Sequence, residues 1–477
     1  MRTPFMSLTR SIAHNTIIQA VGRVISTLLT LVVFFLVARH LGVADYGLLT
    51  TATAFLQVFG LVVDLGLYIY LAKRLGEPGI DAGRVASNVF TLRLVTAAII
   101  IGLAPLLVWW LPYPREVQLS VAVLAGSFLF VTLTQALSGI FQQALRTASF
   151  VGSEILGRVL LLAATIVAIR MGAGVIGISV TVTLGAAVTF IASWMAARRL
   201  VPVRLRFDPV AWREILRATW PIALSIGFNV IYFKADTIVL SLYHPARDVG
   251  LYGAPYRFLE ALISAPAMIA GLLTPLLSSA FATDRQRFGR YLQRGFELLL
   301  FIALPLTIGT QFIATGLMRL VAPEFSESGP ILQVLSLVTF SIFIGYLFSN
   351  AVVVVNRQRT IVWVYGLIAA LSLVLYFSLI PKYSYFGAAW SHLVVETLMA
   401  LSGAWIVLRT ARVKLSFGIP GRIFLAGAIM AAVMFVGRDW PWALNGAIGG
   451  VVYLAAAFGL KVFDRSVLTE IFSRRPS

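Results

Sequence analysis

Three features are scarce or missing in this 477-residue chain. It has no cysteine, which excludes disulfides, thiolate metal sites and thiol nucleophiles. Only 12% of its residues are charged, and 19 acidic residues stand against 38 Lys and Arg, so the net charge is +19. With 59% hydrophobic residues, so few charges exclude an ordinary soluble domain.

Sequence motifs of common catalytic sites are also missing. The chain has no Gly-Lys dipeptide, no HExxH, no Gly-x-Ser-x-Gly and no Asp-x-Asp, so P-loop ATP hydrolysis is excluded and other familiar catalytic sites are not indicated. For the four scattered histidines we expect ordinary loop or interface roles rather than metal ligation: His14, His40, His244 and His392. We therefore predict a transporter rather than an enzyme, with no cofactor and no metal.

Long apolar runs follow one another along almost the whole chain. Their lengths suit helices that cross a bilayer, which take about 20 residues each, and they lack the alternation of membrane strands. The sequence therefore predicts an all-α polytopic membrane protein with about 14 transmembrane helices. The predicted spans are 15–37, 46–71, 85–111, 117–142, 151–170, 174–197, 218–242, 249–280, 295–320, 328–355, 360–380, 384–408, 421–437 and 440–461.

The basic residues predict the orientation of these spans. Most Lys and Arg fall in alternate segments between spans, which places both chain termini in the cytoplasm. There they would meet anionic lipid headgroups, so the positive charge indicates membrane lipids rather than nucleic acid as the partner. In the longest interruption, 198–217, Asp208 and Pro209 predict the start of a short helix at the membrane surface.

Two sequence echoes indicate an internal repeat. Asp45-Tyr-Gly-Leu48 recurs 203 residues later as Asp248-Val-Gly-Leu251, and the glycine that enters the sixth span has a counterpart entering the twelfth. The repeat predicts two pseudo-symmetric six-helix lobes. We assign 1–200 to the N-lobe, 201–217 to a cytoplasmic basic linker helix, 218–410 to the C-lobe, and 411–477 to spans 13 and 14 with a cytoplasmic tail. Chance similarity at apolar turns is the alternative.

Several ionisable residues fall inside predicted spans, where each costs about 2.5–3.5 kcal/mol unless it faces a cavity or a partner. Arg23, Lys234 and Arg257 would line a cleft between the lobes. A cationic cleft needs an anionic guest, and the guanidinium fork suits a phosphate or pyrophosphate group. Four acids either hold these cations or bind a coupling H⁺ or Na⁺, namely Asp64, Asp236, Glu260 and Glu396. Mutual neutralisation between helices is the alternative.

The chain also resembles a known family. The residues that carry the resemblance are Leu41-Gly-Val-Ala-Asp-Tyr-Gly47, Asp64-Leu-Gly66, Tyr232-Phe-Lys-Ala-Asp-Thr-Ile-Val-Leu240, Val249-Gly-Leu-Tyr252 and Tyr385-Phe-Gly-Ala-Ala389. They are similar to motifs of the polysaccharide-biosynthesis (oligosaccharide repeat-unit) flippases in the multidrug/oligosaccharidyl-lipid/polysaccharide (MOP) exporter superfamily. The resemblance covers essentially the whole chain and identifies the superfamily better than the substrate.

This resemblance implies a V-shaped architecture of two lobes around a central cavity, in a multi-pass protein of the bacterial cytoplasmic (inner) membrane. The implied cargo is an undecaprenyl-pyrophosphate-linked oligosaccharide for O-antigen, capsule or exopolysaccharide, moved to the outer leaflet by alternating access. Other polysaccharide assembly proteins would be partners. A peptidoglycan-precursor flippase and a cation-coupled multidrug exporter remain alternatives, whereas a polysaccharide polymerase or ligase would need a larger external loop.

Overall fold

The structure is a computed structural model that describes residues 4–64, 66–75, 79–144 and 146–462. Within these ranges, the side chains of 4–17, 20, 61, 64, 68, 69, 72, 73 and 221–232 lie outside the description. The described residues are 89% helical and contain no strand. The predicted all-α class is therefore confirmed.

Thirteen α-helices form the described part of the chain. They are α1 (Pro4–Asp64), α2 (Leu67–Leu75), α3 (Ala82–Val108), α4 (Arg115–Gln143), α5 (Thr147–Arg170), α6 (Val175–Arg198), α7 (Pro209–Tyr243), α8 (Ala246–Thr283), α9 (Arg285–Val321), α10 (Gly329–Val354), α11 (Gln358–Ala411), α12 (Gly418–Val436) and α13 (Trp442–Gly459). A 3₁₀ turn, Pro323–Ser328, precedes α10.

Eleven of the described helical segments are long and apolar enough to cross a membrane. Two long helices, α1 and α11, each cover two predicted spans. Each contains one residue with positive φ, Gly42 (φ 72°) in α1 and Ser384 (φ 48°) in α11. Both residues lie close to loops that the charge pattern predicts, near Asp45 and Lys382. The count of fourteen spans stays a prediction.

The chain divides into two compact units, Met1–Gly253 and Ala254–Ser477. In the first unit, a buried core joins α2, α3, α4 and α6, and it includes Phe90 and Phe141. In the second unit, α8 to α11 share a core around Phe288 and Phe343. The boundary of the units falls within α8, and the predicted lobe boundaries stay predictions.

The final two helices pack on α9 within the second unit. Met430 and Met434 of α12 and Tyr453 of α13 are buried in one cluster with Leu300 and Leu304 of α9. The Tyr453 hydroxyl donates a hydrogen bond to the Phe301 carbonyl (2.8 Å), which satisfies the polar end of a buried aromatic ring. These helices are thus an integral part of the second unit.

The basic linker before α7 lies along α3. The backbone N–H groups of Arg204 and Arg206 donate to the hydroxyls of Ser87 (3.0 Å) and Thr91 (2.9 Å). Ser87 and Thr91 are one helical turn apart, so their hydroxyls lie on the same face of α3. Side chains of α3 thereby supply the acceptors that an irregular backbone segment lacks.

The predicted start of the linker helix is confirmed, but the predicted short helix does not stand alone. The Asp208 carboxylate caps α7 by accepting from the Ala211 N–H (3.1 Å), and it pairs with Arg84 (3.0 Å). These hydrogen bonds hold the pKa of the Asp208 carboxyl below its usual range. The helix then continues through Arg217 to Tyr243, so the linker and the predicted seventh span form one helix.

The far end of α7 is also tied to the α3–α4 connection. The hydroxyls of Tyr113 and Ser241 form a 2.8 Å hydrogen bond. Burial raises the pKa of the Tyr113 phenol, and the bond to Ser241 partly opposes this shift. The first unit therefore holds α7 at both ends.

The repeated glycines bring two helices into backbone contact. A Cβ atom added to Gly47 of α1 would lie 1.7 Å from the Ala246 carbonyl oxygen, and one added to Gly250 of α8 would lie 2.0 Å from that of Val43. Gly47 and Gly250 are equivalent positions of the 203-residue repeat. Small residues allow membrane helices to approach this closely, so the sequence echo marks a symmetric helix crossing.

We expect Gly47→Ala and Gly250→Ala each to destabilise the protein, since the added methyl group must push one backbone away from the other. Overpacking of this kind costs about 1–3 kcal/mol. Thermal unfolding of the purified protein, followed by intrinsic fluorescence, measures the effect. Gly271→Ala is the control, because a Cβ atom there meets nothing within 4 Å. Equal unfolding temperatures for all three variants would contradict the role of the crossing.

Candidate functional site

Asp236 is a completely buried carboxylate on α7. It accepts hydrogen bonds from the Tyr252 hydroxyl (2.6 Å) and from the N–H and hydroxyl of Thr237 (2.6 and 3.2 Å). The bond to Tyr252 connects α7 with α8 inside the first unit. Burial of a carboxylate is tolerated only with such partners.

Lys234 lies two residues before Asp236 and is half-buried. Its Nζ is 5.3 Å from the centroid of the Phe233 ring, within the range of a cation–π contact. The structure therefore places the predicted cation Lys234 and the predicted acid Asp236 on one short stretch of α7. The cation keeps partial access to its surroundings, whereas the acid has none.

Arg23 lies on an exposed face of α1 in the first unit. Its neighbours Val21, Val24 and Leu28 are each more than half exposed, and Arg23 is itself exposed. This cation thus interrupts an otherwise apolar surface. The other predicted site residue of α1, Asp64, ends the helix, and its side chain lies outside the described residues.

Arg257 and Glu260 form an ion pair near the start of the second unit. Arg257 Nη1 lies 2.9 Å from Glu260 Oε2, and the two side chains are 35% and 27% exposed. The residues are three apart on α8, so helix geometry brings their side chains together. Glu260 thereby orients the guanidinium group, and the pair remains accessible from outside the core.

Glu396 belongs to a buried polar cluster on α11. Glu396 Oε1 lies 3.7 Å from Nε2 of His392, which is completely buried, and the His392 ring lies 5.7 Å from that of Tyr256. At 3.7 Å the carboxylate and the imidazole are in electrostatic contact rather than hydrogen-bonded. Sequence analysis missed His392, although its spacing of four residues from Glu396 placed both on one helix face.

Arg93 is a buried cation that the site prediction does not include. Its side chain is 1% exposed, and it donates to the Val63 carbonyl (2.7 Å) and to Gln135 Oε1 (3.4 Å). Val63 lies in the last turn of α1, where carbonyl oxygens lack helical partners and the helix dipole favours a cation. Arg93 therefore anchors the end of α1 from α3, which is a structural role.

Five of the predicted site residues belong to three groups. Lys234 and Asp236 share α7 in the first unit, Arg257 and Glu260 form a pair on α8, and Glu396 contacts His392. Each group combines a base with an acid. In the described part of the chain, no cluster of three His, Cys, Asp or Glu residues has metal-binding geometry. The arrangement can bind an anion at accessible cations and a proton or small cation at buried acids.

Sequence comparisons identify the family of the chain. A family model described as "Polysaccharide biosynthesis protein" matches residues 12–281, which is more than half of the chain. The probable flippase AglR of Haloferax volcanii is 24% identical over 208 residues, which cover 43% of this chain. The match spans only 44% of the length of AglR.

The fold is similar to those of several solved transporters. The lipid II flippase MurJ in an inward closed conformation has a TM-score of 0.77 at 15% identity, covering 96% of this chain and 100% of MurJ. An inward-facing multidrug resistance MATE family transporter of the MOP superfamily has a TM-score of 0.67 at 15% identity, covering 83% and 98%. A MOP superfamily transporter from Pyrococcus furiosus has a TM-score of 0.62 at 16% identity, covering 85% and 96%.

The TM-scores and the coverage establish the fold, whereas identities of 15–16% transfer no substrate. The family model covers the sequence motifs on which the predicted resemblance rests in the first half of the chain. The resemblance is therefore confirmed at the level of the family: the chain belongs to the polysaccharide biosynthesis protein family, and its fold is similar to those of MurJ and of MATE transporters.

Proposed function

We propose that the protein is a flippase that moves an undecaprenyl-pyrophosphate-linked oligosaccharide from the cytoplasmic to the outer leaflet. The observation that carries this proposal is Arg257, a half-buried cation in a membrane-spanning helix, held in place by Glu260 at 2.9 Å. In a polysaccharide biosynthesis family, the anion that such a cation meets in the membrane is the pyrophosphate of a lipid-linked glycan. The family match over residues 12–281 supports the same conclusion.

In this proposal, the accessible cations bind the pyrophosphate. Arg257 presents a planar fork to two phosphate oxygens, whereas Lys234 supplies a point charge. Arg23 adds a third positive charge on an apolar face, next to where a polyprenyl chain would lie. Transport proceeds by alternating access without ATP hydrolysis, in the cytoplasmic membrane, with both termini in the cytoplasm. Other polysaccharide assembly proteins deliver and consume the glycan.

Coupling to H⁺ or Na⁺ would use the acids. Asp236 and Glu396 are both buried and both hydrogen-bonded or in contact with a polar group, so a bound cation would change the charge of a low-dielectric region. Asp64 is a third candidate from the sequence. Loss or gain of one charge at such an acid alters the relative energies of the inward-facing and outward-facing conformations. An ion gradient can drive a transport cycle in this way.

A flippase for lipid-linked peptidoglycan precursors is the second candidate. It is favoured by one observation, namely the match in fold to the lipid II flippase MurJ over 96% of this chain. Both candidates need cations for a pyrophosphate, so the described residues do not distinguish them. They differ in the glycan that accumulates when the protein is removed.

Depletion of the protein in its native cells distinguishes the two candidates. We expect a polyprenyl-pyrophosphate oligosaccharide to accumulate in the cytoplasmic leaflet and to disappear when the gene is restored. Mass spectrometry of extracted lipid-linked glycans measures this accumulation. A peptidoglycan precursor in its place would select the second candidate, and unchanged lipid-linked glycans would contradict both.

We expect Arg257→Ala to abolish glycan export while the protein remains in the membrane, because no packing interaction replaces a phosphate-binding cation. Arg257→Lys should retain partial activity, since it keeps the charge and loses the bidentate fork. Export at equal membrane abundance is the measurement. Arg319→Ala, which removes an exposed arginine from the last turn of α9, is the matched control and should export normally.

The double variant Arg257→Ala/Glu260→Ala separates substrate binding from a purely structural ion pair. If the pair only neutralises itself within the helix, removing both charges restores the charge balance that Arg257→Ala alone disturbs, and export returns. If Arg257 binds the pyrophosphate, the double variant stays inactive. Restored export would therefore remove Arg257 from the proposed binding site.

Transport should lose its dependence on an ion gradient when the coupling acid is neutralised. We expect Glu396→Gln, which keeps the shape of the side chain and removes its charge, to show slow transport that no longer responds to an imposed H⁺ or Na⁺ gradient. Everted membrane vesicles provide the measurement. The matched comparison is Asp236→Asn, which tests the other buried acid in the same assay. Full gradient response in both variants would exclude these two acids from coupling.

A further inference from the structure

A basic groove lies at one end of the second unit, on the side that the charge pattern predicts to face the cytoplasm. It has a volume of about 570 Å³ and lies between the first turns of α9 and the segment 412–417, which connects α11 with α12. Its cations are Arg285, Arg290, Arg294, Arg412 and Lys414. None of these residues belongs to the proposed transport site.

The groove is a built structure rather than a loose loop against a helix. The side chain of Gln293 donates to the Ser416 carbonyl (2.8 Å) and accepts from the Ser416 N–H (2.9 Å). Gly289 allows Val413 to pack against α9, since a Cβ atom there would lie 3.2 Å from Val413 Cγ1. The connecting segment is therefore fixed on α9, and the cations that it carries are held beside those of α9.

The charge of the groove is strongly unbalanced. Its one lining acid, Glu297, accepts a hydrogen bond from Gln293 (2.7 Å). Arg290 lies 4.0 Å from Asp284, and Arg285 lies over the Phe281 ring. Arg294 and Lys414 are exposed and form no ion pair within the described part of the chain. The groove therefore offers cations to an external anion.

The surroundings of the groove indicate the source of that anion. Val413 and Ile419 supply apolar lining, and one helical turn beyond Arg294 lies Leu298, which is 40% exposed on a helix long enough to span the membrane. A ligand there has a polar group among cations and an apolar part along α9. A soluble phosphate lacks the apolar part, whereas a phospholipid of the cytoplasmic leaflet has both.

We propose that this groove binds the phosphate headgroup of an anionic phospholipid, with Arg294 and Lys414 as the main ligands and the acyl chains along α9. The lipid would bridge α9 and the segment before α12. Since α12 and α13 pack on α9, such a bridge would add to their attachment at the membrane surface. The site is separate from the proposed pyrophosphate site and does not depend on it.

Native mass spectrometry of the full-length protein in detergent tests the proposal, with dioleoylphosphatidylglycerol and dioleoylphosphatidylcholine as probes. We expect the wild type to retain phosphatidylglycerol and to prefer it over phosphatidylcholine. A cation near a phosphate contributes about fivefold to binding, so Arg294→Gln/Lys414→Gln should weaken phosphatidylglycerol binding about 25-fold. High salt should weaken wild-type binding in the same direction.

The control variant Arg170→Gln/Arg319→Gln removes the same charge from exposed arginines at the last turns of α5 and α9. It should bind phosphatidylglycerol as the wild type does. Equal losses in both variants, or an unchanged preference in the groove variant, would overturn the proposal. Displacement of the lipid by millimolar glycerol phosphate would overturn it as well, since the groove would then select a soluble phosphate.

Glycan export gives an independent readout of the same variants. Because neither Arg294 nor Lys414 belongs to the proposed transport site, failure of lipid binding would leave the flippase proposal intact. Conversely, selective lipid binding in a protein that exports no glycan would support the groove and contradict the flippase. The two proposals are therefore tested separately.

Discussion

The cost of an ionisable side chain inside a membrane governs much of this structure. Within the described spans, three buried charged residues have polar partners: Arg93 with the Val63 carbonyl, Asp236 with Tyr252, and Glu396 near His392. Each of these contacts joins different turns or different helices. Charged side chains that are costly to insert into lipid thereby help to position the helices. This role explains why a chain with only 12% charged residues keeps several charged residues inside its spans.

The same cost separates structural charges from functional ones. Arg93 is almost completely buried and holds a helix end, so it has little access to a ligand. Arg257 is one-third exposed, although its predicted span is apolar. A cation that stays partly accessible in such a helix is placed to exchange a protein partner for a phosphate. Accessibility, rather than charge alone, therefore selects the candidate binding residues.

The repeat provides the second constraint. Gly47 and Gly250 occupy equivalent positions, and each lies against the backbone of the other's helix. A repeat that only duplicated a lobe would not require its equivalent residues to meet. Their contact is a close helix crossing within the first unit.

Sequence reasoning was most successful where one physical rule dominates. Apolar runs predicted the helices, and Asp208 with Pro209 predicted the start of α7, because hydropathy and capping are local properties. The continuity of α7 through Arg217 was missed, since a run of arginines resembles an end of a span although a helix tolerates it. His392 was missed because its role depends on Glu396 and on Tyr256 from another helix. Such tertiary contacts cannot be read from spacing alone.

The central claim is that this protein alone moves a lipid-linked oligosaccharide across a bilayer. The most direct measurement uses the purified full-length protein in liposomes that carry a fluorescent polyprenyl-pyrophosphate oligosaccharide, with ATP absent. An impermeant glycosidase then reports how fast the inner pool reaches the outer leaflet. The account predicts a rate well above that of protein-free liposomes under an H⁺ or Na⁺ gradient. The protein-free rate under every gradient tested would contradict it.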